Sequence, residues 1–179
     1  GFGSCGHLLS TREAIAVSWP MRSGAVAVFA MSNDGATLDD FVQSGVAWDA
    51  ISRCHMRVGT THPKGGIELF VPQFELRSDD RDLGGMLRSL GIENAFSPRA
   101  DFGNITEADA MVSKVVQNTM LKLDPNGVEG AAYTIFVVPA GCAPEPMPEP
   151  VRVVFDRPFA FAVFSHSGAP LFVGAYTGA

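Results

Sequence analysis

The sequence lacks most of the features that would assign it a chemistry outright. Its three cysteines (Cys5, Cys54, Cys142) are few and odd in number, so they make no disulfide framework, and no C-x-x-C pair suggests a zinc or redox site. A single disulfide stays open, and the redox compartment with it. Charged residues make up only 18%, the net charge is −6, and Lys and Arg nowhere cluster beyond a pair. Phosphate binding needs a concentrated basic surface, so no nucleic-acid partner is expected. No apolar run approaches the ~18 residues of a membrane-spanning helix, so no membrane partner is expected either. The four histidines (His7, His55, His62, His166) show no H-x-x-x-H spacing. Neither a metal site nor a cofactor is read from them.

What is present is apolar and strand-rich. Hydrophobic residues are 46% of 179, which excludes disorder as a description of the whole chain and leaves room for a core. The first ten residues read as an irregular lead-in. Residues 14–19 (AIAVSW) and 25–31 (AVAVFAM) read as an antiparallel hairpin buried on both faces. Residues 37–52 read as a helix with Leu38, Phe41, Val42, Trp48 and Ile51 on one side, capped by Thr37 with Asp40 three residues on; Gly45 weakens it. Strand character returns over 57–76. Within it Ile67, Leu69 and Val71 are expected to face one way and Phe70, Phe74 and Leu76 the other, with Pro72 marking an edge or a bulge. Residues 82–91 carry Leu83, Met86, Leu87 and Leu90 at helical spacing, closed by Gly91. A loop over 95–109, a long strand over 112–123 and a turn at Asp124-Pro125-Asn126-Gly127 follow. Three closing strands are expected over 151–155, 159–164 and 171–176, the last two joined through Ser167-Gly168. Strand runs with two or three segregated helices predict an α+β fold.

Candidate chemistry is sparse. Gly1-Phe2-Gly3-Ser4-Cys5-Gly6 matches G-x-G-x-x-G, but no strand precedes it, so it reads as a terminus and not as a phosphate cradle. Cys54-His55 sets a thiol beside an imidazole, yet sequence neighbours rarely point at each other. Ser165-His166-Ser167 is most simply a hairpin tip, and no G-x-S-x-G elbow exists. Asn104-Ile105-Thr106 is a glycosylation sequon in an expected loop. The unusual segment is 127–150, long for a connection in a compact domain. After Glu129 its first half (128–138) carries no charge and ends in strand-forming residues. On physical grounds alone it reads as an interdomain linker.

The order of motifs resembles the C-terminal half of a serpin. Residues 67–76 resemble the family's "ELYLPKF" strand. Leu90-Gly91-Ile92-Glu93-Asn94-Ala95-Phe96-Ser97, then Ala100-Asp101-Phe102 and Ile105-Thr106, resemble its "LGI…AF…ADF…IT" stretch. Val112-Ser113-Lys114-Val115-Val116 resembles the strand entering the reactive loop. Asp156-Arg157-Pro158-Phe159 and Leu171-Phe172-Val173-Gly174 resemble the closing strands. The resemblance implies a suicide-substrate inhibitor of a serine protease, with a cysteine protease as the alternative target, and no enzyme activity of its own. It also implies an extracellular or secreted location and a reactive loop at about 127–150. The hinge would be Gly127, Val128, Glu129, Gly130, Ala131, Ala132, Tyr133 and Thr134.

On insertion, Val128, Gly130, Ala132 and Thr134 would share one face of the new strand. All are small or apolar, so no charge would be buried unpaired. Counting from the hinge puts the reactive bond at Gly141–Cys142; counting back from Asp156 puts it at Met147–Pro148. The first is preferred, because proline after the cut makes a poor substrate. Small residues there suit an elastase-like or subtilisin-like pocket. Gln117, where many members have histidine, and Val128, in place of a hydroxyl residue, depart from the pattern. The resemblance covers residues 1–179 as the C-terminal part of a single serpin domain whose N-terminal half is missing, so the chain is expected to be a fragment. That half is itself an expected partner. A non-inhibitory serpin acting as a binding or carrier module is the alternative, and a thiol hydrolase on Cys54 and His55 stands third.

Overall fold

The computed structural model describes residues 6–21, 23–123 and 148–178, with backbone alone for residues 79–81. They form two compact units: the described parts of 1–72 and 128–179, and residues 73–127 as far as described.

The first unit is built on a five-stranded antiparallel sheet. β1 (His7–Ser10), β2 (Ala14–Pro20) and β3 (Val26–Ser32) run in sequence order, followed in space by β8 (Phe159–Phe164) and β9 (Pro170–Tyr176). The expected hairpin is present as β2 and β3, in register from Ala14↔Ser32 to Pro20↔Val26 and buried almost throughout. β1 corrects the irregular lead-in: Leu8 and Leu9 pair with Val17 and Ala16. Four residues behind a Gly- and Ser-rich start are too few to show alternation, and it is the pairing that makes them a strand.

α1 (Leu38–Gln43) and α2 (Val46–His55) cover one face of this sheet. Thr37 caps α1, its Oγ1 accepting from the Asp40 amide at 3.2 Å and donating to Asp40 Oδ2 at 2.7 Å. The single helix expected over 37–52 is broken at Gly45, which sits at φ 81. The break shifts the helical phase. Phe41, Ala47, Ala50, Ile51 and Cys54 are buried, while Val42 and Trp48, expected on that face, are about half exposed. The alanines let α2 approach Ala16, Val28 and Ala162 of the sheet. On the opposite face Phe29, Phe155 and Phe159 meet edge to face or tilted, with centroids 5.3–6.0 Å apart.

β4 (Ile67–Phe70) and β7 (Val151–Val154) form a separate parallel pair, Ile67↔Val151 to Phe70↔Val154. Strand character does not run through 57–66, which is turns and irregular backbone apart from one bridge, Leu8↔Thr61. Residues 71–73 also fall outside any strand, so the facing pattern expected across Pro72 does not hold. Pro72 has no amide hydrogen for a ladder, and the chain leaves the β4–β7 pair there.

The second unit pairs β5 (Phe74–Asp82) with β6 (Val116–Leu123), antiparallel with an irregularity between Ser78 and Arg81. β6 is shorter than expected, since residues 112–115 make only single backbone bonds such as Val112 N to Ala95 O at 2.8 Å. The helix expected over 82–91 is the short α3 (Gly84–Ser89). Asp82 still belongs to β5, and its carboxylate accepts from the Gly84 amide at 2.9 Å and starts the helix. Gly91 closes it at φ 89 as expected, but Met86 and Leu90 are exposed. The following Asn94–Phe96 forms a 3-10 turn, ended by an extended Ser97, with the Arg88 guanidinium 4.3 Å over the Phe96 ring.

Candidate functional site

The two stems of the 127–150 segment are described, although most of the segment itself is not. On the entry side, β6 pairs with β5 and with no other strand among the described residues. Its alternation is plain: Thr119, Leu121 and Leu123 are half-buried, while Asn118, Met120 and Lys122 are exposed. A regular strand with one edge unpaired is a surface for strand addition. Gln117 is exposed on this strand and pairs with Arg81 in register.

On the exit side, Pro148, Glu149 and Pro150 are exposed and lead into β7. The Val151 amide donates to Gly66 O at 3.0 Å, and the Phe155 amide to Phe70 O at 2.9 Å. The Arg152 guanidinium lies 4.6 Å over the Phe70 ring. Gly66 sits at φ 82 in a turn closed by its amide on Pro63 O at 2.8 Å. Gly65 packs directly on the Pro148 and Glu149 carbonyls. Sequence reasoning passed over this Gly65-Gly66 pair, although Pro63-Lys64-Gly65-Gly66 is a readable turn signal. Of the expected site residues, Pro148 is thus placed. The hinge residues Gly127, Val128, Glu129, Gly130, Ala131, Ala132, Tyr133 and Thr134, the Gly141–Cys142 bond, Met147 and the turn at 124–127 lie outside the described residues.

The other candidates separate from one another. Cys54 is fully buried among Leu9, Ala16 and Ala50, with its thiol directed at His7 O at 3.5 Å. Burial pushes that thiol up to about 11, against hydrogen bonds from Ser18 and Leu9 that act the other way. His55 turns elsewhere and stacks on Phe164 at 3.9 Å and 11° between planes. Burial, then the Arg57 guanidinium, holds it below the usual imidazole range. The two side chains make no nucleophile–base pair. Ser165 is tied into its hairpin: its hydroxyl faces Ser167 Oγ at 2.9 Å and accepts from the Ala169 amide at 3.1 Å. His7 and His62 lie with ring centroids 5.4 Å apart, and no group of three metal-capable side chains occurs among the described residues. Gly6 leads into a strand, not a helix, which removes the phosphate cradle. Asn104 is exposed in a turn, as expected for its sequon. A cavity of about 260 Å³ opens between the start of α1 and Arg157–Pro158.

Comparison with known proteins gives these stems a context. A family model described as "Serpin (serine protease inhibitor)" matches residues 12–178. An alpha-1-antitrypsin-like protein of Tamias sibiricus is 29% identical over 170 residues, covering 94% of this chain and 38% of that protein. Among solved structures, the mouse protein-Z dependent protease inhibitor matches with a TM-score of 0.71 at 18% identity, over 99% of this chain and 44% of the other. Thyroxine-binding globulin in complex with thyroxine matches at 0.69 and 21% identity, over 99% and 45%. The chain thus spans about 38% of the length of the curated relative and less than half of either solved chain. The family match runs through both stems and the segment between them, in an α+β fold of the kind those solved chains share: this chain belongs to the serpin family.

Proposed function

We propose that residues 1–179 are the C-terminal part of a serpin domain that inhibits a serine protease as a suicide substrate, with the loop at about 127–150 as the bait. The protease serine Oγ attacks the carbonyl of Gly141. The protease's base moves the proton lost by the serine hydroxyl to the nitrogen, the Gly141–Cys142 amide bond breaks, the nitrogen leaves as the new amino terminus of Cys142, and Gly141 stays esterified to the protease. The hinge then adds as a strand at the open edge of β6 before water reaches the ester. The observation that carries this reading is the family match across 12–178, whose entry stem β6 pairs, among the described residues, with β5 alone. A complete domain needs the N-terminal half as partner, and an extracellular location goes with the reading. The reading gives the chain no enzyme activity of its own, and the Cys54 thiol and His55 imidazole turn to different partners. An elastase-like or subtilisin-like protease is the expected target. A cysteine protease would leave a thioester in place of the ester.

One observation favours a second reading. Thyroxine-binding globulin is among the structural matches, so a binding or carrier serpin remains the competitor. The described cavity near α1, at about 260 Å³, falls below the ~300 Å³ at which small-molecule pockets begin. Incubating the chain, together with the N-terminal half, with elastase, subtilisin and trypsin and running denaturing gels separates the two. Inhibition gives a band at the summed mass of serpin and protease. Cleavage within 139–147 with the protease left fully active removes the trap and supports the carrier.

A further inference from the structure

The exit stem of the loop carries a close fit that sequence reasoning did not see. Gly65 stands under the backbone of Pro148 and Glu149. A Cβ added there would lie 2.7 Å from the Glu149 carbonyl carbon and closer still to the carbonyl oxygens of both residues. Real Cβ atoms do not approach backbone this closely, and backbone cannot step aside as a flexible side chain would. The requirement at Gly65 is therefore for the absence of a side chain, not for an unusual φ, and the left-handed φ of the turn belongs to Gly66. Among the described residues no backbone hydrogen bond joins Pro148, Glu149 or Pro150 to the β4 side, and Pro148 and Pro150 have no amide hydrogen to offer one. Packing on Gly65 does that work, and the ladder begins one residue later with Val151 N on Gly66 O.

We propose that the Gly65–Gly66 turn is a clamp that positions the reactive loop by fixing its exit at Pro148, so that protease-accessible bonds end before that residue. This rests on the loop reading above and deepens it. A protease holds its substrate as an extended strand on both sides of the cut. For the Met147–Pro148 bond the residues beyond the cut are Pro148 and Glu149, whose carbonyls are pressed against Gly65. For Gly141–Cys142 the corresponding residues lie N-terminal to the clamp. The clamp thus separates the two candidate bonds by position, independently of the poor reactivity of a bond before proline.

The test uses the chain with its N-terminal half, as wild type and as Gly65→Ala. Hydrogen exchange is read at Val151, Val153 and the β2–β3 amides, and brief subtilisin cleavage is mapped by intact mass. In the wild type, Val151 exchanges at least about tenfold more slowly than the same amide in the urea-unfolded chain, and cuts stop before Pro148. In Gly65→Ala, Val151 exchange rises about tenfold with β2–β3 unchanged, and cuts extend beyond Pro148. Wild-type Val151 exchanging as fast as in the unfolded chain overturns the clamp without any variant, as do Gly65→Ala patterns identical to wild type. If Gly65→Ala loses β2–β3 protection as well, the wild-type Val151 rate alone decides. Failure of the loop reading looks different: the wild type is then not cut within 139–147 at all.

Discussion

Cys54 offers a sharp test of the view that its thiol is a packed core group and not a nucleophile. The perturbation is alkylation by iodoacetamide at pH 7.5, comparing the folded chain with the same chain in urea. Only the thiolate reacts. An unperturbed thiol at 9.0 is about 3% ionised at this pH, whereas one pushed up to about 11 is about 0.03% ionised. Ionisation alone therefore slows Cys54 about a hundredfold. The side chain has no exposed surface, so reaction also waits on local opening of α2 from the sheet, which slows it further. Peptide mass mapping at timed intervals follows Cys54 by its own fragment. A folded-to-unfolded rate ratio below about 1:100 is expected. Labelling of folded Cys54 within tenfold of the unfolded rate would refute the burial and the electrostatics together, and would return the thiol to consideration as a nucleophile.

Two further outcomes follow from the core and from the histidines. Phe159 is fully buried, with ring centroids 5.1 Å from Tyr176 and 5.3 Å from Phe155. Phe159→Ala should cost about 3–5 kcal/mol, read as a lowered urea midpoint at unchanged slope. Burial, then Arg57, holds both His7 and His55 below the usual imidazole range, and His62 adds to this at His7. The fold thus favours their neutral forms, and the unfolded chain binds more protons from pH ~6.5 downward. Stability present above that value is lost as pH falls through it and through the lower folded values. The urea midpoint should be flat from pH 8 to 7 and fall by pH 5.5, and a His7→Gln, His55→Gln double variant should lose much of that slope. A midpoint that rises toward acid contradicts the assignment.

Elements bounded by strong local punctuation were legible. The β2–β3 hairpin has Pro20, Gly24 and Asn33 around two apolar runs, and β8–β9 has its turn at Gly168, which adopts φ 85. Thr37 announced its helix by side-chain chemistry alone. What stayed hidden depended on partners remote in sequence. β1 is a strand because β2 lies beside it. β5 runs on to Asp82 through charged residues that carry no hydrophobic period. Met86 and Leu90 kept helical spacing yet stand exposed, since spacing cannot say whether a face is covered. The same division holds at the site. The small or apolar character of Val128, Gly130, Ala132 and Thr134, the alternate positions of the hinge, is a property of composition and was readable. The need for glycine at position 65 exists only because Pro148 and Glu149 cross it, and no window of sequence contains all three.

The central claim is that the hinge becomes a strand beside β6 after the loop is cut. The direct measurement compares wild type with Ala132→Arg, each assembled with the N-terminal half and mixed with an elastase-like protease, by intact mass under denaturing conditions. An arginine on the inserted face would be buried unpaired at a cost of several kcal/mol, while leaving the bait bond untouched. The account predicts that both chains are cleaved between Gly141 and Cys142, and that only the wild type carries the protease as a covalent adduct. Equal trapping by both, or trapping by neither despite cleavage, would contradict it.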